Sequence, residues 1–77
     1  MEFISKDFYI CSVILASGVN LLRLKKETER FVFFIFDISP SNAEKIIQRH
    51  WSRELVLPTR NLIEAINELK TRIHATL

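Results

Sequence analysis

Cys11, His50, His74 and nine carboxylates are the side chains of this 77-residue chain that could do acid–base, nucleophilic or metal chemistry. Nucleophilic catalysis needs a base beside the nucleophile and a third group to hold the base. Cys11 stands mid-helix among Ile10, Val13 and Ile14, the setting of a small buried hydrophobe rather than a reactive thiol. His50 falls on the helix face of Ile46 and Ile47, beside Trp51, with no acid fixed near it in sequence. His74 lies near the end of the closing helix, where a cation favours the dipole. One cysteine and two histidines make no spaced pairs of zinc ligands. Arg60, Glu64, Glu68 and Arg72 form an i, i+4 charge ladder, which a solvated helix face explains. Asp37, closing the aromatic run "FVFFIFD", is the most conspicuous acid. A carboxylate there is read as a turn residue that ends a strand, faces solvent or accepts from the Ser39–Ser41 backbone. With Gly18 the only glycine, a Gly-rich phosphate loop is excluded. No catalytic residue, metal ligand, cofactor or small-molecule substrate is assigned, and the chain is expected not to be an enzyme.

Two kinds of binding chemistry remain. Arg23 and Lys25 are expected to share a sheet face with Phe34 and Phe36, and basic residues interleaved with aromatics suit phosphate neutralisation and base stacking. Lys45, Arg49 and Arg53 form a second basic stripe, with Gln48 and Ser52 able to hydrogen-bond a backbone. Against nucleic acid stand a net charge of only +2 and the missing glycine-containing ribonucleoprotein motif. The alternative is a protein partner. A hairpin apolar on both faces needs a cover for each. If the helices cover one face only, a second copy closes the other, with Ile10, Val13, Val32, Phe34 and Phe36 as the expected dimer interface. The favoured function is a non-catalytic protein-interaction module that pairs with itself through its hairpin and first helix. Nucleic-acid binding is the second reading.

The elements that must position these residues follow from the punctuation. Ser5 is a candidate cap for a helix over 6–17, with Asp7 in its first turn and Gly18 at its end. That helix carries Phe8, Ile10, Cys11, Val13, Ile14 and Leu15, so it is expected to be buried on more than one side. Strands over 19–26 and 30–38 flank the turn "KETE". Placing Lys26 opposite Glu29 puts Leu22, Leu24, Phe31, Phe33 and Ile35 on one face, and Leu21, Arg23, Lys25, Val32, Phe34 and Phe36 on the other. "EFIS" is a candidate short extra strand. Ser39 followed by Pro40 opens a second helix reaching about Ser52, with Ala43, Ile46, Ile47, His50 and Trp51 inward. "RELVLP" links it to a last helix starting at Pro58, whose Leu62, Ile66, Leu69 and Ile73 make an amphipathic stripe.

These elements compose one small α+β domain over residues 1–77, ordered helix, β-hairpin, helix, helix. An apolar fraction of 48% is ample for a core, yet a chain this short sits near the limit of independent stability, which favours association. The apolar run "FYICSVILASGV" is too short to span a bilayer, and the N-terminus lacks the pattern of a signal peptide. With a single cysteine besides, the expectation is a soluble cytoplasmic protein without a membrane partner.

"SKDFYICSVILASGVNLL", "RFVFFIFDIS", "HWS" and "LIEAINELKTRI" together resemble a family of short prokaryotic domains of unknown function, bacterial, archaeal or phage-borne. In that family a "DFY" helix precedes a Phe-rich hairpin and two C-terminal helices. The resemblance spans nearly the whole chain. It departs at His50, where the family pattern has Phe before Trp51, and at Leu57, where it has Asp before Pro58. It implies one compact α+β domain and carries no catalytic residue.

Overall fold

The computed structural model describes all 77 residues. Strand β1 (Phe3–Ser5) comes first, so the N-terminal segment is a strand and its Ser5 is not the helix cap. Asp7 takes that role for α1 (Phe8–Ala16): its Oδ1 accepts from the Tyr9 and Ile10 N–H groups, both at 3.1 Å. A carboxylate is the better cap here, because it satisfies two unpaired amides and places a negative charge on the positive end of the dipole. Ser5 Oγ accepts instead from the Asp7 N–H, at 3.2 Å. Helix α1 buries Ile10, Cys11, Ser12, Val13, Ile14 and Ala16, nearly all round as its composition predicts. The one buried hydroxyl, on Ser12, donates to the Phe8 carbonyl at 2.9 Å, so its burial leaves no unpaired group. Gly18 ends the helix at φ +95°, a left-handed conformation in which glycine avoids the Cβ clash.

The hairpin pairs β2 (Leu21–Lys26) with β3 (Val32–Phe36) through a five-residue connection, Glu27–Phe31. Thr28 organises this loop. Its Oγ1 accepts from the N–H groups of Arg30 and Phe31, and the Phe31 carbonyl accepts from the Glu27 and Thr28 N–H groups. The longer loop moves the register three residues from the expected one: Leu24 lies opposite Phe34, not Phe31. An odd shift reverses every side chain. A bulge between Leu21 and Arg23 then returns Leu21 to the inner face, opposite Phe36. Leu21, Leu24, Val32, Phe34 and Phe36 therefore share the inner face, while Arg23, Lys25, Phe33 and Ile35 share the outer one. This corrects the expected partition, which set Arg23 and Lys25 beside Phe34 and Phe36.

β1 pairs antiparallel with the far side of β3, giving the order β1-β3-β2. The parallel strands β1 and β2 are joined by α1 and split by β3. Strand β3 is thus central, which explains why its sequence does not alternate. Helix α2 (Pro40–Trp51) starts as expected, with Ser39 Oγ accepting from the Asn42 N–H at 3.2 Å and proline at the first helical position. Helix α3 (Thr59–Thr76) follows the linker and buries Ala65 and Leu69, with Leu62, Ile66 and Ile73 half-buried along its stripe. Helix α1 packs against both other helices, and α3 also reaches β2. The core joins Ile10, Cys11 and Ile14 of α1 to Val32, Phe34 and Phe36 of β3, Ala43 of α2 and Leu69 of α3. All three helices contribute to that core on the inner side of the sheet, and the least extent of the molecule is 18 Å, as two layers require. No helix is long and apolar enough to cross a membrane.

Candidate interaction surfaces

On the outer face of the sheet, side chains from the three strands fall into rows set by the register. Ile4 of β1, Ile35 of β3 and Arg23 of β2 make one row. Phe33 and Lys25 belong to the next, and Lys6, immediately after β1, brings its ammonium 5.7 Å from the centre of the Phe33 ring. Ile35 is only 3% exposed although it lies outside the helix-covered core. Two ion pairs link the flanks of β3, one from Arg23 in the Ile35 row and one from Lys6 beside Phe33. Glu2 and Arg23 form a two-pronged pair, with both N···O distances 3.1 Å, and Lys6 meets Glu27 at 3.4 Å. Each pair joins the β1 side to the β2 side, so each must pass over the central strand. The hydrogen bonds from Arg23 hold the Glu2 carboxyl below the usual range, and the same contact raises the guanidinium's pKa. These straps leave Ile4 and Phe31 open, at 55% and 58% exposure.

The expected dimer residues Ile10, Val13, Val32, Phe34 and Phe36 are all buried within the single chain, where they form or adjoin its core. That correction follows from the register, since the odd shift turned Val32, Phe34 and Phe36 towards α1. The expected nucleic-acid set is also divided. Arg23 and Lys25 lie on the outer sheet face, Phe34 and Phe36 inside, and Lys45, Arg49 and Arg53 on and just after α2, in the helix layer. Trp51, expected inward, is 69% exposed. At 100° per residue, Ala43, Ile46, Ile47 and His50 form one stripe, and Trp51 falls off its edge.

The candidate catalytic groups do not converge. Cys11 is fully buried, and burial raises its thiol pKa to about 12; its Sγ donates to the Ser5 carbonyl at 3.8 Å. His50 is half-buried against Trp51, with ring centres 4.9 Å apart, and His74 is exposed on the last turn of α3. Asp37 is an exposed residue at the strand end, and its N–H donates to the Asn20 carbonyl at 2.9 Å. Ser39 supplies the cap, so Asp37 is not needed for it. No group of three or more His, Cys, Asp or Glu is placed to hold a metal ion.

Sequence reasoning missed Glu2, Ile4, Lys6, Phe31 and Phe33 as a surface. The signal that could have found them is the alternation in "EFISK", which sets Glu2, Ile4 and Lys6 against Phe3 and Ser5. No family model, curated protein or solved structure matches the chain.

Proposed function

We propose that this chain is a non-catalytic protein-interaction module that pairs with a second copy of itself. The observation that carries this reading is the outer sheet face, where Ile4 and Phe31 stand open beside Phe33 and no helix packs. The charges on that face favour a second copy as occupant. Glu2 and Glu27 stand among Lys6, Arg23 and Lys25, a face of mixed sign on which a two-fold axis allows acids of one copy to approach bases of the other. A nucleic acid presents one sign of charge, and would meet both acids and two cations that already hold partners. The small core of a 77-residue chain gains from the added burial.

The face is modest. Three strands at about 4.8 Å spacing and about five residues at 3.4 Å give a footprint roughly 14 by 17 Å. Even with its rim, this falls short of the ~800 Å² per partner of a standard stable interface. The pairing is therefore expected to be reversible, with a Kd on the order of 100 µM. Sedimentation equilibrium from about 1 to about 500 µM tests it. The expected result is a mass rising from 9.1 kDa towards twice that value, with Ile4→Ser and Phe31→Ser variants staying monomeric and folded. A wild-type chain monomeric throughout, or a dimer that both substitutions leave intact, contradicts the reading.

A further inference from the structure

On the helix side of the molecule, away from the outer sheet face, three observations meet at the C-terminal half of α2. Lys45, Gln48, Arg49, Ser52 and Glu54 line a polar depression of about 400 Å³ with no apolar residue in its wall. Lys45, Arg49 and Arg53 take part in none of the four ion pairs, and the neighbouring Glu44 is engaged by Gln48 at 3.5 Å. Trp51 stands exposed on the flank of the same helix, one turn from Gln48, braced by the His50 ring. Arg53 adds a backbone peculiarity. It closes α2 at φ +66°, where its N–H donates to the His50 carbonyl at 3.2 Å and the Glu54 N–H donates to the Arg49 carbonyl at 2.9 Å. This helix ending is normally built with glycine, as Gly18 closes α1, because an L side chain in that conformation is strained. A strained arginine beside two unpaired cations points to a use for its side chain.

We infer that the exposed side of α2 is a contact surface for single-stranded nucleic acid, with Lys45, Arg49 and Arg53 neutralising backbone phosphates and Trp51 stacking a base. Lys45 and Arg49 are one turn apart, about 6 Å along the axis, which lets them follow a strand from one phosphate to its neighbour. Gln48 keeps a second amide N–H for a phosphate or sugar oxygen, whereas the Ser52 hydroxyl already donates to the Arg49 carbonyl at 3.2 Å. Glu54 is the one acid lining the depression, against the two cations Lys45 and Arg49, with Arg53 next to it in sequence. A single strand is favoured over a duplex because its bases are free to stack on an exposed indole. An anionic lipid surface fits less well, since the depression beside these cations has no apolar residue in its wall to insert.

Trp51 is the only tryptophan, so its fluorescence reports the contact directly. The full chain is titrated with an oligothymidylate of about 15 nucleotides at low and rising salt. The expected result is saturable quenching, with log K falling against log salt at a slope of about −2, from three phosphates at about 0.7 each. In Arg53→Gly, which keeps the helix ending, the slope should fall to about −1.4; in the Lys45→Ala/Arg49→Ala double variant it should fall to about −0.7. Affinity should drop at least about tenfold in the double variant at low salt. Circular dichroism of both variants confirms that they are folded. The inference is overturned by absence of quenching at low salt, by unchanged affinity in the double variant, or by equal binding of a duplex. A fluorescence blue shift with phosphatidylglycerol vesicles but no response to the oligonucleotide also overturns it, in favour of a lipid surface.

Discussion

Replacing Phe34 and Phe31 separately by leucine tests the register on which the description of both sheet faces depends. Phe34 is 1% exposed in the centre of the core, and Phe31 is 58% exposed at the end of the hairpin loop. A domain of this length is held by about 4–12 kcal/mol, at 0.05–0.15 kcal/mol per residue. Phe34→Ala, at about 3–5 kcal/mol, would consume much of that and give a poorly folded chain. Phe34→Leu keeps most of the volume and should cost about 1–1.5 kcal/mol. Phe31→Leu, at an exposed position, should stay within about 0.5 kcal/mol. With a urea slope near 1 kcal/mol/M for so small a chain, the midpoint should fall by about 1 M for the first variant and less than about 0.5 M for the second. The titration belongs at low micromolar concentration, so that self-association adds nothing to apparent stability. If Phe31→Leu lowers the midpoint as much as Phe34→Leu, the loop closes after fewer residues and the two faces exchange identities.

Two further outcomes follow from the buried thiol and the outer straps. Cys11 should react with a thiol reagent only through global unfolding, because it is fully buried with a pKa pushed up to about 12; labelling in native buffer at the rate of a free cysteine would contradict this. The Glu2 carboxyl is lowered from 4.5 by Arg23, so the stability it contributes is present above 4.5 and is lost as pH falls through its folded-state value. Wild type should therefore exceed Glu2→Gln in urea midpoint at pH 7, with the difference vanishing at acid pH. A gap independent of pH would show that the Glu2–Arg23 strap is not its source.

Much of the architecture was legible from punctuation. Ser39 and Pro40 announce α2, Gly18 ends α1, and the Leu62, Ile66, Leu69, Ile73 stripe marks the buried side of α3. The all-round apolar character of α1 also carried over, since a helix between a sheet and two other helices has little wet surface. The sheet faces were not legible, for a specific reason. Side chains alternate with period two, so one uncounted loop residue reverses a strand, and here a five-residue loop and a bulge each intervene. Thr28 holds the loop by accepting two N–H groups, a choice that "KETER" does not advertise. The apolar residues Phe31 to Phe36 read alike on both faces, so hydrophobicity alone had no preference to offer. The candidate surface was lost with the register: Phe34 and Phe36 went inside, and Ile4, Phe31 and Phe33 took the open face. Trp51 shows the same limit at a helix end, where one residue past the stripe is already outside.

Backbone amide shifts of the labelled chain, followed from about 20 to about 500 µM, address the central claim most directly, because they locate the contact as well as detecting it. Pairing through the outer sheet face predicts concentration-dependent shifts at Ile4, Arg23, Phe31 and Phe33, with Ile10 and Val13 of α1 unmoved. Shifts centred on α1, or a spectrum that does not change with concentration, would contradict it.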